Sequence, residues 1–142
     1  MSNLSRFMKK NKVERTNEKH APSKAFLDEN GKPLDFEFRP VGSKENKDIR
    51  AKYITDVQIP GKPNVFRQRL DTDGYLNALM VASVVEPDLY NAELQNSYGV
   101  KTPEDLLYAM IDNPGEYQDL AAWVQKYQGF DTLEELKTEA KN

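Results

Sequence analysis

The sequence contains no cysteine, a single histidine, His20, and a single tryptophan, Trp123. Without cysteine the chain cannot form a disulfide bond, a thiolate nucleophile or a zinc–thiolate site. Its longest stretch without a charged residue is 74–85, well short of the roughly 20 apolar residues that a membrane helix needs. These absences predict a soluble protein of the cytoplasm that has no membrane segment.

Residue types that support catalysis or metal binding are also scarce. His20 lies in a polar segment that gives no reason to expect its burial, whereas a catalytic triad needs an ordered histidine beside a serine and a buried carboxylate. Residues 71–74 read Asp-Thr-Asp-Gly, but Leu76 and Ala82 stand where a calcium loop needs glycine and glutamate. We predict no catalytic residue, no metal site and no cofactor.

The charges are divided unevenly along the chain. Residues 1–70 contain 16 Lys and Arg against 9 Asp and Glu, a net charge of +7, whereas residues 71–142 contain 4 against 14, a net charge of −10. The basic half can pack beside the acidic half, form a docking surface for a protein, or bind nucleic acid. The overall charge of −3 disfavours a dedicated nucleic-acid binder.

We divide the chain into an N-terminal part, residues 1–23, and a single α+β domain, residues 24–142. Ser2 or Asn3 can cap a helix that runs to about residue 12. Its apolar side chains recur at helical spacing: Leu4, Phe7 and Met8. We expect them to pack on the body of the protein, because apolar groups in water are costly; the alternative is a docking arm. The polar residues 13–23 are the predicted linker.

Residues 24–70 show the signals of two hairpins. The first places Ala25–Leu27 and Leu34–Arg39 on either side of Asn30-Gly31, and the second joins a strand at Val57 and Ile59 to Val65–Leu70. Phe36 and Phe38 are expected on one face. Both hairpins contain Gly-Lys-Pro-x-x-Phe-x-x-Arg, at 31–39 and 61–69, which we interpret as reuse of turn chemistry rather than duplication. A polar helix is predicted between them, from Ser43 to about Ile54.

Residues 71–142 are predicted to be helical. The most apolar helix starts at Asp71 or Thr72 and runs to about Val85, and we expect it at the centre of the core. Further helices are predicted near 91–98, after Thr102-Pro103, after Asn113-Pro114 as far as Gly129, and after Asp131. Strands followed by helices indicate an α+β fold in which N-terminal β-hairpins pack against a C-terminal group of helices.

The aromatic residues near the end of the chain suggest a contact surface. Trp123 lies off the helix face formed by Leu120 and Val124, so it is either a second packing contact or an interface anchor. Tyr127 and Phe130 close the same helix and its exit loop. We predict a partner-binding surface that combines these aromatics with the apolar face of the first helix: Leu4, Phe7, Met8, Trp123, Tyr127 and Phe130.

Four strings of sequence are shared with one protein family. They are residues 1–12, the run Gly-Lys-Pro-Asn-Val-Phe at 61–66, residues 94–100, and the run Ala-Met-Ile-Asp-Asn-Pro-Gly-Glu-Tyr-Gln at 109–118. In these strings the chain resembles the XkdN-like tail assembly chaperones of phages and of defective prophages of Gram-positive bacteria. The resemblance spans nearly the whole chain.

The resemblance implies a non-enzymatic role in building a long phage tail. Such chaperones are expected to coat the tape-measure protein and to yield to the tail tube protein as the tube polymerises. The resemblance implies no residue-level site. The uneven charge would let copies associate head to tail. Two alternatives remain at this point: a nucleic-acid-binding regulator that uses the basic half, and a structural component of the finished tail.

Overall fold

A computed structural model describes residues 3–131 of the chain. In that part the elements follow in this order: α1 (Leu4–Phe7), β1 (Glu18–His20), β2 (Phe36–Phe38), α2 (Ser43–Ala51), β3 (Ile54–Gln58), β4 (Phe66–Leu70), α3 (Thr72–Ser83), β5 (Val84–Glu86), α4 (Ala92–Ser97), α5 (Pro103–Met110) and α6 (Pro114–Tyr127). The predicted α+β class is confirmed. The helix predicted after Asp131 lies outside the described residues.

The N-terminal helix is shorter than predicted. The backbone of Met8 is extended, with ψ of 150°, so α1 stops at Phe7 and a single 3₁₀ turn, Lys9–Asn11, follows it. Asn3 makes no side-chain capping bond. A helix this short is unstable in water unless tertiary packing supports it, and α1 buries none of its residues.

A three-stranded antiparallel sheet has β2 at its centre, with β1 and β5 on either side. Phe36 and Phe38 are both buried on one face, as predicted. Two differences from the sequence prediction concern the neighbouring strands. Glu18–His20 form β1 within the segment predicted to be a linker, and Val84–Glu86 form β5 where the α3 helix was expected to end. The division of the chain at residue 23 stays a prediction.

The first predicted hairpin has the expected turn but not the expected strand pairing. Gly31 adopts φ of 78°, and the Asp28 carboxylate accepts hydrogen bonds from the backbone N–H groups of Asn30 and Lys32. A single bridge joins Leu27 to Pro33. The residues that follow the turn pair with β1 and β5, because there they bury both phenylalanines.

The second hairpin is confirmed. β3 and β4 pair in register from Ile54 opposite Leu70 to Gln58 opposite Phe66. Its turn places Gly61 at φ of 78°, the same value as Gly31. The two equivalent phenylalanines nevertheless differ, since Phe36 is buried and Phe66 is 58% exposed. The repeated pattern therefore specifies a turn and does not specify burial.

The α3 helix forms the centre of the core, as predicted. Its buried residues include Leu79, Met80 and Val81, and it packs against α2, α5, α6 and β5. The hydroxyl of Tyr75 links it to the Asn46 side chain of α2. Four helices begin with a capping residue whose side chain accepts a hydrogen bond from the backbone N–H three residues further on, and three of these caps, all but Asn91, are predicted from the sequence. The four capping residues are Asp71, Asn91, Thr102 and Asn113.

Glu116 has a different partner from the one that its spacing from Asn113 predicts. Instead of completing a capping box, its carboxylate accepts hydrogen bonds from the Ser23 hydroxyl at 2.8 Å and from the Lys24 backbone N–H at 2.9 Å. The Lys24 N–H bond, followed by the Ser23 bond, lowers the pKa of Glu116. The start of α6 is thereby attached to the chain that leaves β1.

The end of α6 is fixed by the buried side chain of Gln128. Its amide oxygen accepts a hydrogen bond from the Val41 backbone N–H at 2.8 Å. Its amide nitrogen donates to the Arg39 carbonyl and to the Ser83 hydroxyl, each at 2.9 Å. Ser83 is fully buried and donates in turn to the Leu79 carbonyl. One amide thus connects α6, the end of α3 and the segment between β2 and α2.

We expect Gln128→Leu to lower the free energy of unfolding by about 2–4 kcal/mol, because the change leaves the buried Val41 N–H, the partly buried Arg39 carbonyl and the buried Ser83 hydroxyl without this partner. Gln125→Leu is the matched control, since Gln125 is also buried on α6 but donates only to the Ala121 carbonyl of its own helix. Its expected loss is about 1 kcal/mol or less. Urea unfolding measures both. Equal losses would contradict a special role for Gln128.

Candidate partner-binding surfaces

Residues 4–13 form an exposed segment that we call the N-terminal arm. Phe7 is 83% exposed, Leu4 64% and Met8 47%. The expected packing of these side chains on the body is therefore wrong, and the alternative, an arm, describes the structure. The arm contains four basic residues and no acidic one; the four are Arg6, Lys9, Lys10 and Lys12. It is a short, basic segment with an apolar face.

The chain becomes anchored immediately after the arm. Arg15 donates to the Val41 carbonyl at 2.8 Å and to the side-chain oxygen of Gln128 at 3.4 Å. The hydroxyl of Tyr127 donates to the Thr16 carbonyl at 2.7 Å. The segment that leads into β1 therefore runs beside the C-terminal half of α6, which holds the root of the arm in place.

The predicted anchor Trp123 takes part in an aromatic stack. Its ring lies 4.4 Å from the His20 ring and 5° from parallel with it, and 5.2 Å from the ring of Tyr127. Phe38 packs against the same indole at 4.7 Å. Trp123 and Tyr127 are half-buried and contact the core. Trp123 is thus a packing contact, the first of the two interpretations of its position.

His20 differs from its predicted environment, because the stack makes it half-buried. Burial lowers its pKa, and the Asp35 carboxylate opposes this effect without cancelling it. Sequence analysis missed this position because the polar neighbours of His20 contain no sign of the indole that covers it. The stack joins residues 20 and 123, which are far apart in the chain.

Phe130 lies at the mouth of a cleft of about 430 Å³ beside the root of the arm. Lys12 and Arg15 line the same cleft, together with Gly42 and Ser43 at the start of α2. Phe130 is 41% exposed. Of the six predicted contact residues, Leu4, Phe7, Met8 and Phe130 are exposed, whereas Trp123 and Tyr127 are half-buried against the core. Their role in binding stays a prediction.

A second surface, which we call the acidic groove, lies between α3, α5 and α6. It is open and has a volume of about 940 Å³. Apolar and aromatic side chains form its floor: Leu76, Tyr108, Ile111, Tyr117, Ala121 and Ala122. Three exposed aspartates line it, Asp73, Asp112 and Asp119. Sequence analysis missed the groove because these residues come from three separate segments; the acidic bias of the second half was its only signal.

The floor of the groove contains a fixed tyrosine pair. The rings of Tyr108 and Tyr117 stack at 4.8 Å, and the Asn77 amide donates to the Tyr117 hydroxyl at 2.8 Å. Burial, followed by the contact with Tyr108, raises the pKa of Tyr117. The phenol therefore stays neutral at neutral pH, and Tyr117 lines the groove in that form.

Within residues 3–131 no group of three or more His, Asp and Glu side chains is placed to hold a metal ion. Asp71, the first residue of the segment that resembles a calcium loop, caps α3. In the same part of the chain, no helix is both long and apolar enough to span a bilayer. The arrangement can offer apolar contact and charge of either sign.

The fold is that of a small α+β protein with two chemically different surfaces, one basic and apolar and the other acidic and aromatic. The chain belongs to the family of XkdN-like phage tail assembly chaperones, whose family model matches residues 4–141. Membership assigns it a role in phage tail assembly and confirms the family that the sequence resembles.

Known relatives are similar over nearly the full length. Two proteins of Bacillus subtilis (strain 168) match over 143 residues that cover 98% of this chain and 93% of theirs: the phage-like element PBSX protein XkdN, 28% identical, and YqbN, 27% identical. A crystal structure of the protein YqbN matches with a TM-score of 0.76 and 21% identity, over 92% of this chain and 99% of that one. This likeness shows a shared fold.

The lowered pKa of His20 predicts a pH dependence of stability. The folded state binds the proton less readily than the unfolded state, whose histidine pKa is near 6.5. The contribution of neutral His20 is therefore complete above that pH and decreases as the pH falls from 6.5 toward the folded-state pKa. We expect the urea midpoint to fall more between pH 7.5 and pH 5.5 in the native protein than in His20→Gln. Equal changes in both proteins would contradict this assignment.

Proposed function

We propose that the protein binds the tape-measure protein during phage tail assembly, in the cytoplasm of the bacterial host, and catalyses no reaction. It covers the tape-measure protein until the tail tube protein takes its place. Membership of the tail assembly chaperone family supports the part of the proposal that concerns tail assembly. The exposed apolar side chains of the N-terminal arm support the part that concerns contact with the tape-measure protein.

The observation that carries the proposal is the exposure of the apolar side chains of the arm. Burying a phenylalanine such as Phe7 is worth about 1.5–3 kcal/mol, and this gain is available to a partner because Phe7 is 83% exposed. Leu4 and Phe7 are one helical turn apart in α1, and Met8, whose backbone is extended, continues the apolar run beyond the helix. Short apolar segments of this kind can lie on an apolar surface of a partner. The cations of the arm favour a bound segment with acidic flanks.

The other predicted residues support the arm in different ways. Phe130 is exposed beside the arm root and extends the apolar contact. Trp123 and Tyr127 hold the segment from which the arm projects, through the His20 stack and the Thr16 carbonyl. Replacing Trp123 would therefore also disturb the fold, and Phe7 gives the cleaner test.

The test is co-expression with the tape-measure protein, followed by affinity capture through a tag on the C-terminus of this protein. We expect Phe7→Ala combined with Met8→Ala to reduce capture about ten-fold or more, since loss of a buried aromatic anchor costs 1.4 kcal/mol or more. Phe66→Ala is the matched control, because Phe66 is an exposed phenylalanine on the β3–β4 hairpin. We expect it to leave capture unchanged.

Two results would contradict the proposal. Full capture by the double variant would show that the arm does not contact the tape-measure protein. Absence of capture by the native protein would show that the tape-measure protein is not its partner. Nuclease treatment of the lysate excludes bridging by nucleic acid, the first alternative; loss of capture on that treatment, with steep salt dependence, would favour it. Mass spectrometry of purified particles tests the second alternative, a structural component that stays in the tail.

A further inference from the structure

The acidic groove and the N-terminal arm have complementary chemistry. The groove has an apolar, aromatic floor and three aspartates, whereas the arm has an apolar face and four cations. Among residues 3–131, no recorded ion pair involves Asp73, Asp112 or Asp119. Opposite charges around an apolar contact steer association and fix its register.

The arm is rooted away from the groove, since the cleft at its root and the groove share no lining residue. Its root lies in the cleft that Gln128 and Phe130 line, while the groove extends along α6 from Pro114 to Gln125. One molecule thus displays a basic apolar segment, rooted near the C-terminal end of α6, and a groove of complementary charge along the same helix.

We propose that the acidic groove binds the N-terminal arm of a second copy of this chain. Phe7 and Met8 lie on the aromatic floor, and Lys9 and Lys10 face the aspartates at its edge. The contact is heterologous, so each copy keeps one unused arm or groove and chains of copies can grow. The inference rests on the proposed function only in that both employ the arm, so that a neighbour's groove and the tape-measure protein compete for it.

The arm gains protection in this state. Exposed apolar side chains promote indiscriminate association, and a neighbour's groove covers them until a partner with more apolar surface displaces it. The contact involves few side chains, so we expect a dissociation constant of about 10–100 µM. Because it includes exposed charges, high salt weakens it.

The test measures self-association of the full chain without any partner, by sedimentation velocity over a concentration series. We expect the native protein to form species larger than dimers at about 200 µM in low salt, and to revert toward monomer in 0.5 M NaCl. An arm variant, Phe7→Asp, and a groove variant, Asp112→Lys with Asp119→Lys, should each weaken association at least ten-fold. Phe66→Asp, and Asp48→Lys with Asp56→Lys, are the matched controls and should associate like the native protein.

Mixing the two defective variants gives the decisive result. The groove variant has an intact arm and the arm variant has an intact groove, so an equimolar mixture should form a one-to-one heterodimer that grows no further. A native protein that stays monomeric at about 1 mM, ten times the upper end of the expected dissociation constants, overturns the proposal. A mixture that forms no heterodimer also overturns it. The same holds if the arm folds onto the groove of its own molecule, which hydrogen exchange would show as protection of the arm that does not depend on protein concentration.

Capture of the tape-measure protein separates this inference from the proposed function. The groove variant keeps its arm, so its capture should equal or exceed that of the native protein. If the groove variant loses capture and the native protein does not self-associate, the groove binds the tape-measure protein, and our assignment of the groove to the arm of a second copy is wrong. If self-association behaves as expected but the arm variant captures normally, the proposed function fails and this inference stands.

Discussion

The side-chain amide of Gln128 joins the parts of the molecule on which both surfaces depend. It bonds to Val41, Arg39 and Ser83, and Arg15 reaches the same amide oxygen and the Val41 carbonyl. Buried polar groups tolerate few arrangements, because each must find a partner. A single buried network therefore sets the end of α6, the entry to α2 and the root of the N-terminal arm together.

The α6 helix serves two functions along its length. Its C-terminal half holds the N-terminal segment through Trp123 and Tyr127, and residues 114–125 form one wall of the acidic groove. A helix of 14 residues spans about 21 Å. One helix therefore contributes both to the anchoring of the arm and to the groove, and Glu116 holds the start of the same helix to the chain after β1.

Sequence succeeded where the determining contacts are local. A cap such as Asp71 acts within three residues, and the β3–β4 hairpin is defined by its own turn. It failed for β1 and β5, because polar Glu18–His20 become a strand only beside the phenylalanines of β2, and Val84–Glu86 continue an apolar helical pattern. The candidate contact residues were chosen from apolar spacing and aromatic content. The stacking of His20 on Trp123 and the grouping of the groove aspartates could not be predicted, because these residues come from segments far apart in the chain.

The β3–β4 hairpin gives the basic charge of the first half a further meaning. In the part of the chain that the structure describes it is a two-stranded ribbon, so its outer hydrogen-bonding edges lack a neighbouring strand. Exposed edges of this kind invite edge-to-edge stacking and amyloid-like aggregation. Arg67 and Arg69 alternate along β4, and Lys62 lies in the turn. Like charges on an edge strand disfavour its pairing with the same strand of a second copy.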